Sequence, residues 1–337
     1  MSGMTEMKNW KRMCRTFLLG VLALVILTTV GCGSKTSPEK TDSNDKEKGI
    51  RVVATIYPLY DFARQVVGDC GEVTMLEPPA SESHSYEPTP QDIITIQDCD
   101  VFLYIGGESD TWVEDMLQDI DTNKVKVVRC LELVDLLEEE VVEGMEAEEH
   151  EEEEHDGEHE EEYDEHIWTT PANAMQIVEQ LADIFGEADQ TNKDTYRAQG
   201  EAYKAEIATL DQQFQQVVDE AECKTLIVGD RFPLRYFVEE YGLSYYAAFP
   251  GCSEDTEPSA ATMAFLIDKV KKEQLPVVLH MELSNESIAD SICESTGAEK
   301  LEFHSCHKIS KDDFEAGVTY VDLMQKNVEV LKKALGA

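Results

Sequence analysis

Basic side chains are scarce in this sequence of 337 residues: 28 Lys and Arg stand against 70 Asp and Glu, a formal net charge of −42 at pH 7. A surface this acidic is repelled by phosphate backbones and anionic headgroups, which makes nucleic acid a poor partner and cations a good one. The nine cysteines contain no C-x-x-C pair, so neither a zinc ribbon nor a dithiol redox motif is indicated. H-E-x-x-H and G-x-S-x-G are both absent, which removes familiar signatures of zinc and serine hydrolases. No internal sequence repeat is visible. Long apolar runs are missing too: the stretch from Phe17 to Val30 falls short of the roughly 20 residues that a membrane helix needs.

That stretch suits a signal peptide. Lys8, Lys11, Arg12 and Arg15 precede it, and it stops at Thr29-Val30-Gly31-Cys32, an order of basic start, apolar centre and small residues. Small residues before a cysteine resemble the bacterial lipobox, with Thr29 where leucine is usual. The resemblance implies a leader over 1–31 and a lipid on Cys32. Residues 32–49 are rich in Ser, Thr, Lys, Asp and Glu without an apolar run, the composition of a flexible tether. A lipid on a tether places the folded part outside the cytoplasmic membrane, where disulfides are permitted. Seven cysteines remain beyond Cys14 and Cys32, and whether Cys252 pairs with Cys306 stays open. Cys130 and Cys223, beside apolar runs, read as buried small hydrophobes.

The most biased segment is internal. Between Glu138 and Glu165 there are 18 Asp and Glu, three His and not one Lys or Arg. Such a segment repels itself and has almost nothing apolar to bury, so 137–165 reads as a solvated loop. His150, His155 and His159 stand among carboxylates there and offer imidazole and oxygen ligands to divalent metals.

Outside it, short apolar strands alternate with amphipathic helices. Arg51–Ile56, Val101–Ile105 and Val125–Arg129 read as strands in the first half, Thr225–Gly229 and Pro276–His280 in the second. Their continuous Val, Ile and Leu character suits a parallel sheet buried on both faces. Pro58 can open a helix that Gly68 closes, and Thr89 can cap another before Pro90. From Asp194 to Ala221 one apolar stripe, Tyr196, Tyr203, Ile207, Leu210, Phe214 and Val217, marks a single long helix. The expected fold is α/β: two lobes with parallel sheets, over 50–186 and 223–337, joined by a connecting helix within 187–222. The ligand site of such a protein is the cleft between lobes.

Candidate ligands fall at the strand ends, where open α/β sheets bind. His84 lies in a proline-flanked loop before a helix cap, His166 where the acidic loop rejoins the fold, Asp230 after a buried strand, and His304 in Glu-Phe-His-Ser-Cys-His (302–307). His280 and His307 are reserves, His280 reading as structural because it ends a buried strand.

His84-Ser-Tyr-Glu-Pro-Thr-Pro90, preceded by Tyr57-Pro58-Leu59, resembles the solute-binding lipoproteins of zinc and manganese ABC transporters. Glu165-His166-Ile167-Trp168 resembles that family's second ligand motif. The acidic histidine-rich insertion is similar to the loop of its zinc-specific members, and Glu315–Tyr320 with Leu323-Met324 also looks like the family. The resemblance covers 50–337. It implies a lone metal site in the interlobe cleft and delivery to a permease by a monomer without catalysis. It further implies ligation by His84 and His166, with Asp230 at the third position and His304 at or near the fourth. This chain departs from the family in having no histidine at the third position.

A set of three histidines and an aspartate favours Zn²⁺, with Mn²⁺ the alternative, because imidazole suits zinc and manganese prefers more oxygen. Two other readings compete: a metal-storage or adhesin lipoprotein in which the loop is the working part, and a zinc-dependent hydrolase.

Overall fold

The computed structural model describes residues 49–81, 86–118, 120–145, 163–253 and 257–337. The expected leader (1–31), most of the expected tether (32–49) with Cys32, His84 and the loop histidines His150, His155 and His159 lie outside the described residues.

In the first lobe, β1 (Ile50–Ala54), β2 (Gly71–Met75), β3 (Val101–Tyr104) and β4 (Lys126–Arg129) form a parallel sheet in the order β2-β1-β3-β4. In the second, β5 (Thr225–Phe232), β6 (Ser244–Pro250), β7 (Val277–His280) and β8 (Glu299–Glu302) form another in the order β6-β5-β7-β8. Second, first, third, fourth: both lobes follow one topology, a repeat of structure that the sequence does not display. β3 and β7 are buried at every position, as parallel strands with helices on both faces must be. The apolar-run criterion passes over β2, β6 and β8. All three are sheet edges, and Glu299, Lys300 and Glu302 on β8 carry charge that protects an edge from further pairing.

The first-lobe helices are α1 (Tyr57–Val67), α2 (Pro90–Gln97), α3 (Thr111–Leu117) and α4 (Pro171–Ala188). Gly68 ends α1 at φ 50°, a conformation that costs glycine little. Thr89 and Asp92 start α2 with a reciprocal capping box. Next comes α5 (Lys193–Glu220), whose 28 residues span about 42 Å at 1.5 Å each. Its buried stripe includes Tyr196, Tyr203, Ile207, Leu210, Phe214 and Val217. Gly200 allows α4 to lie close, since a Cβ there would stand 3.0 Å from that of Ala182. The second lobe adds α6 (Arg235–Tyr241), α7 (Ala260–Glu273), α8 (Ser287–Thr296), α9 (Lys311–Ala316) and α10 (Tyr320–Leu335).

The chain's last segment sews the lobes together. Tyr57 donates from its hydroxyl to the Val318 carbonyl at 3.0 Å, and Arg64 donates to the same carbonyl at 2.6 Å. Asp61, fully buried, accepts from the Tyr203 hydroxyl at 2.6 Å, the Tyr320 backbone N–H at 2.9 Å and Arg64 at 2.7 Å. One carboxylate thereby ties α1, α5 and α10. A single apolar core runs from Val52 and Leu103 through Phe62, Tyr203 and Phe214 to Val228, Leu279 and Phe303. The outer faces of the two sheets carry separate smaller clusters.

Candidate metal centre

The loop that bears His166 begins at a clasp. Glu138 and Tyr163 form an antiparallel bridge, and the Asp164 N–H donates to the Leu137 carbonyl at 2.9 Å. The Tyr236 hydroxyl, from α6 of the other lobe, donates to the Asp164 carbonyl at 2.9 Å and accepts from the Leu137 N–H at 3.2 Å. The two ends of the acidic tract are thus held together against the second lobe, two residues before His166.

Asp164 then fixes the His166 ring. Its Oδ1 accepts the His166 backbone N–H at 2.8 Å and stands 3.1 Å from the ring Nδ1. A carboxylate only accepts, so Nδ1 carries the proton and Nε2 keeps its lone pair. His166 is fully buried, and Nε2 has no hydrogen-bond partner. Burial alone would lower the pKa of His166. The Asp164 carboxylate, with Glu165 and Glu139, outweighs it and holds the pKa above the usual imidazole value. Gly251, in the loop after β6, makes room for the ring: a Cβ there would lie 2.9 Å from Cε1.

Across the cleft stands His307. Its ring centre is 5.4 Å from that of His166, at 77° between planes, and Trp168 packs against both. Trp168 also donates from Nε1 to the Ser305 carbonyl at 2.9 Å, fastening the His307 loop to the His166 loop. Glu282, just beyond β7, organises that loop further. It accepts from the Ser305 N–H and hydroxyl, both at 2.7 Å, and from the Lys308 N–H at 3.1 Å. The Ala80 N–H donates to the Ile309 carbonyl at 2.9 Å, which brings Pro78–Ser81 beside His307.

His166 and His307 line a cavity of about 230 Å³ together with Asp230, Arg231, Glu282, Ser305 and Lys308. Asp230 sits where the pairing of β5 with β6 shifts register, a kink of the kind that re-aims a side chain. Its carboxylate accepts from the backbone N–H groups of Arg231 at 2.9 Å and Met281 at 3.1 Å.

His304 is placed otherwise and does not line the cavity. Its Nδ1 accepts the Cys306 N–H at 2.9 Å, so the proton of a neutral ring must sit on Nε2 and neither nitrogen offers a lone pair. Asn327 clamps its backbone, accepting from the N–H at 2.8 Å and donating to the carbonyl at 2.7 Å. Of the two histidines in this loop, the reserve His307 lines the cavity and His304 does not. His280 has Nδ1 3.0 Å from the Met281 carbonyl and also does not line the cavity. The seven cysteines from Cys70 to Cys306 are all free, so Cys252 and Cys306 are not joined.

Sequence reasoning passes over Asp164, Glu282 and a third group. Ligand atoms of Glu165, His166 and Cys252 lie within 4.8 Å of one another. Glu165 accepts from the Ser109 hydroxyl and from its N–H at 3.1 Å. Burial, then Glu165 and its neighbouring carboxylates, push the Cys252 thiol well above its ordinary range.

Two parallel-sheet lobes, a rigid helix behind them and a histidine-lined cavity at the strand ends define a two-lobed solute-binding protein. The chain belongs to the family of the periplasmic zinc-uptake complex component A, ZnuA, whose model matches residues 52–334. It is 33% identical to the high-affinity zinc uptake system protein ZnuA of Bacillus subtilis over 94% of this chain and 97% of that one. It is 30% identical to the zinc-binding lipoprotein AdcA of Streptococcus pneumoniae over 86% of this chain, spanning 57% of that longer relative. The Zn(II)-bound ZnuA-like domain of the pneumococcal AdcA superposes with a TM-score of 0.70 at 28% identity, covering 86% of this chain and all of that one.

Proposed function

We propose that this protein captures Zn²⁺ in the interlobe cleft and delivers it to an ABC permease for import. The ligands are His166 and His307, with Asp230 as the oxygen donor and His84 as the remaining imidazole. The observation that carries this reading is the pair of rings 5.4 Å apart, one of them with a buried, partnerless Nε2. Two imidazoles sharing one tetrahedral ion through bonds of about 2.0–2.1 Å have ring centres about 5 Å apart. Membership of the zinc-uptake family supports the cargo and the transport role. Lipidation at Cys32 after removal of residues 1–31, with 32–49 as tether, would keep the monomer at the outer face of the membrane, and the lipoprotein AdcA among the relatives supports that anchor. The acidic loop with His150, His155 and His159 acts as a weak collector that raises the local metal concentration.

Zinc titration by calorimetry tests the assignment. One tight site is expected. His307→Ala weakens it at least a hundredfold, about 2.7 kcal/mol, and His304→Ala leaves it nearly intact. The reverse order of effects would return the ligand role to His304. Weak sites without a tight one would refute cleft capture and make the loop the metal binder.

A further inference from the structure

Glu165, His166 and Cys252 meet on the side of the His166 loop that faces Gly251-Cys252, and their ligand atoms fit within 4.8 Å of one another. We propose that these three side chains form a second, thiolate-bearing coordination set that takes a soft divalent cation of the Cd²⁺ class and shares His166 with the zinc cleft. The proposal rests on the cleft reading for His166 alone; Cys252 and Glu165 are additional to it.

The chemistry favours such an ion. Sulfur ligands select softer metals than an imidazole and carboxylate set does. Each Glu165 oxygen accepts from Ser109, and a carboxylate oxygen has a further lone pair to give. His166, fully buried with an Nε2 that nothing in the fold satisfies, is the ligand that the two sets have in common. The surroundings decide the sign. A bare thiolate beside Asp164, Glu165 and Glu139 would add a negative charge to a negative pocket. A thiolate bound to a divalent ion carries one net positive charge, which the same carboxylates stabilise. Coordination breaks the S–H bond of Cys252, forms the metal–sulfur bond and sends the proton to solvent.

Sharing His166 makes the two sets mutually exclusive, so Zn²⁺ in the cleft and Cd²⁺ on the thiolate compete. The test is a Cd²⁺ titration of the full chain, followed by thiolate-to-cadmium charge-transfer absorption in the ultraviolet, beside Cys252→Ser. The acidic loop has no cysteine and is silent in this readout, and the serine variant gives the background of the other cysteines, which is subtracted. A band that saturates in the parent, vanishes in Cys252→Ser and is suppressed by excess Zn²⁺ is the expected result. Cd²⁺ binding without that band, or a band as large in Cys252→Ser as in the parent, overturns the proposal. Zinc calorimetry of both proteins separates the two ideas: a tight zinc site without the cadmium band leaves the transport reading standing, whereas loss of the zinc site itself removes that reading.

Discussion

Replacing Asp164 by Asn leaves an oxygen where the carboxylate was but removes its charge. In the parent, Oδ1 accepts from both the His166 backbone and its ring, at 2.8 and 3.1 Å, in a position 1% exposed. A charge-assisted hydrogen bond is about twice as strong as a neutral one, and loss of such support for a metal-binding imidazole costs about 10–100-fold in affinity. That corresponds to about 1.4–2.8 kcal/mol at neutral pH. The pH dependence sharpens the test. Protons and zinc compete for Nε2, and Asp164 keeps the pKa of His166 above the ordinary value. Zinc affinity of the parent therefore falls as pH drops through a pKa above that of a free imidazole. In Asp164→Asn the pKa is lower, so the decline begins at a lower pH and the gap between the proteins narrows in acid. Competitive titration against a chromophoric chelator at several pH values reads both effects. Parallel pH profiles, or an unchanged affinity at neutral pH, would refute the role assigned to Asp164.

Gly251→Ala drives a methyl against the His166 ring; zinc affinity should fall and the melting temperature drop, with stability reduced by about 1–3 kcal/mol as in other overpacked sites. Asp61→Ala strands Arg64, the Tyr203 hydroxyl and the Tyr320 N–H, and urea unfolding should show a loss of about 3–5 kcal/mol, a loss below about 1 counting against a structural role for this network. Burial first, with the charge of Glu165 added, pushes Asp110 up to about 7. A carboxylate whose pKa rises on folding weakens the fold as pH climbs, so Asp110→Asn should raise the melting temperature more at about pH 8 than at about pH 5. Deleting 146–162 keeps the Glu138–Tyr163 clasp, and calorimetry should find the tight zinc site retained; a hundredfold loss would place part of that site in the loop.

The sequence displays the lobes through their buried strands and the long helix through its stripe, because both signals are local and apolar. The edges β2 and β8 are hidden because partly exposed strands carry mixed residues, and β6, though mostly buried, because Ser244-Tyr245-Tyr246-Ala247-Ala248 is no Val, Ile or Leu run. His304 and His307 cannot be told apart in the same way. They lie three residues apart in one loop, and which of them faces the cleft is decided by Asn327, Glu282 and Trp168, all distant in sequence. Asp164 is hidden for a different reason: in a run of 18 acidic residues, nothing local distinguishes the one that orients a ring.

The continuous core through α1, α5 and α10 also bears on how cargo leaves. Two lobes that share one apolar interior cannot swing apart without exposing Phe62, Tyr203 and Phe214 to water, and that cost scales with the area uncovered. Opening must then occur in the rim, through the described segments 78–81, 250–253 and 303–309. The residence time of the ion is set by the lifetime of loop contacts such as that of Ala80 with Ile309, and a permease that pries at this rim would shorten it without bending the molecule.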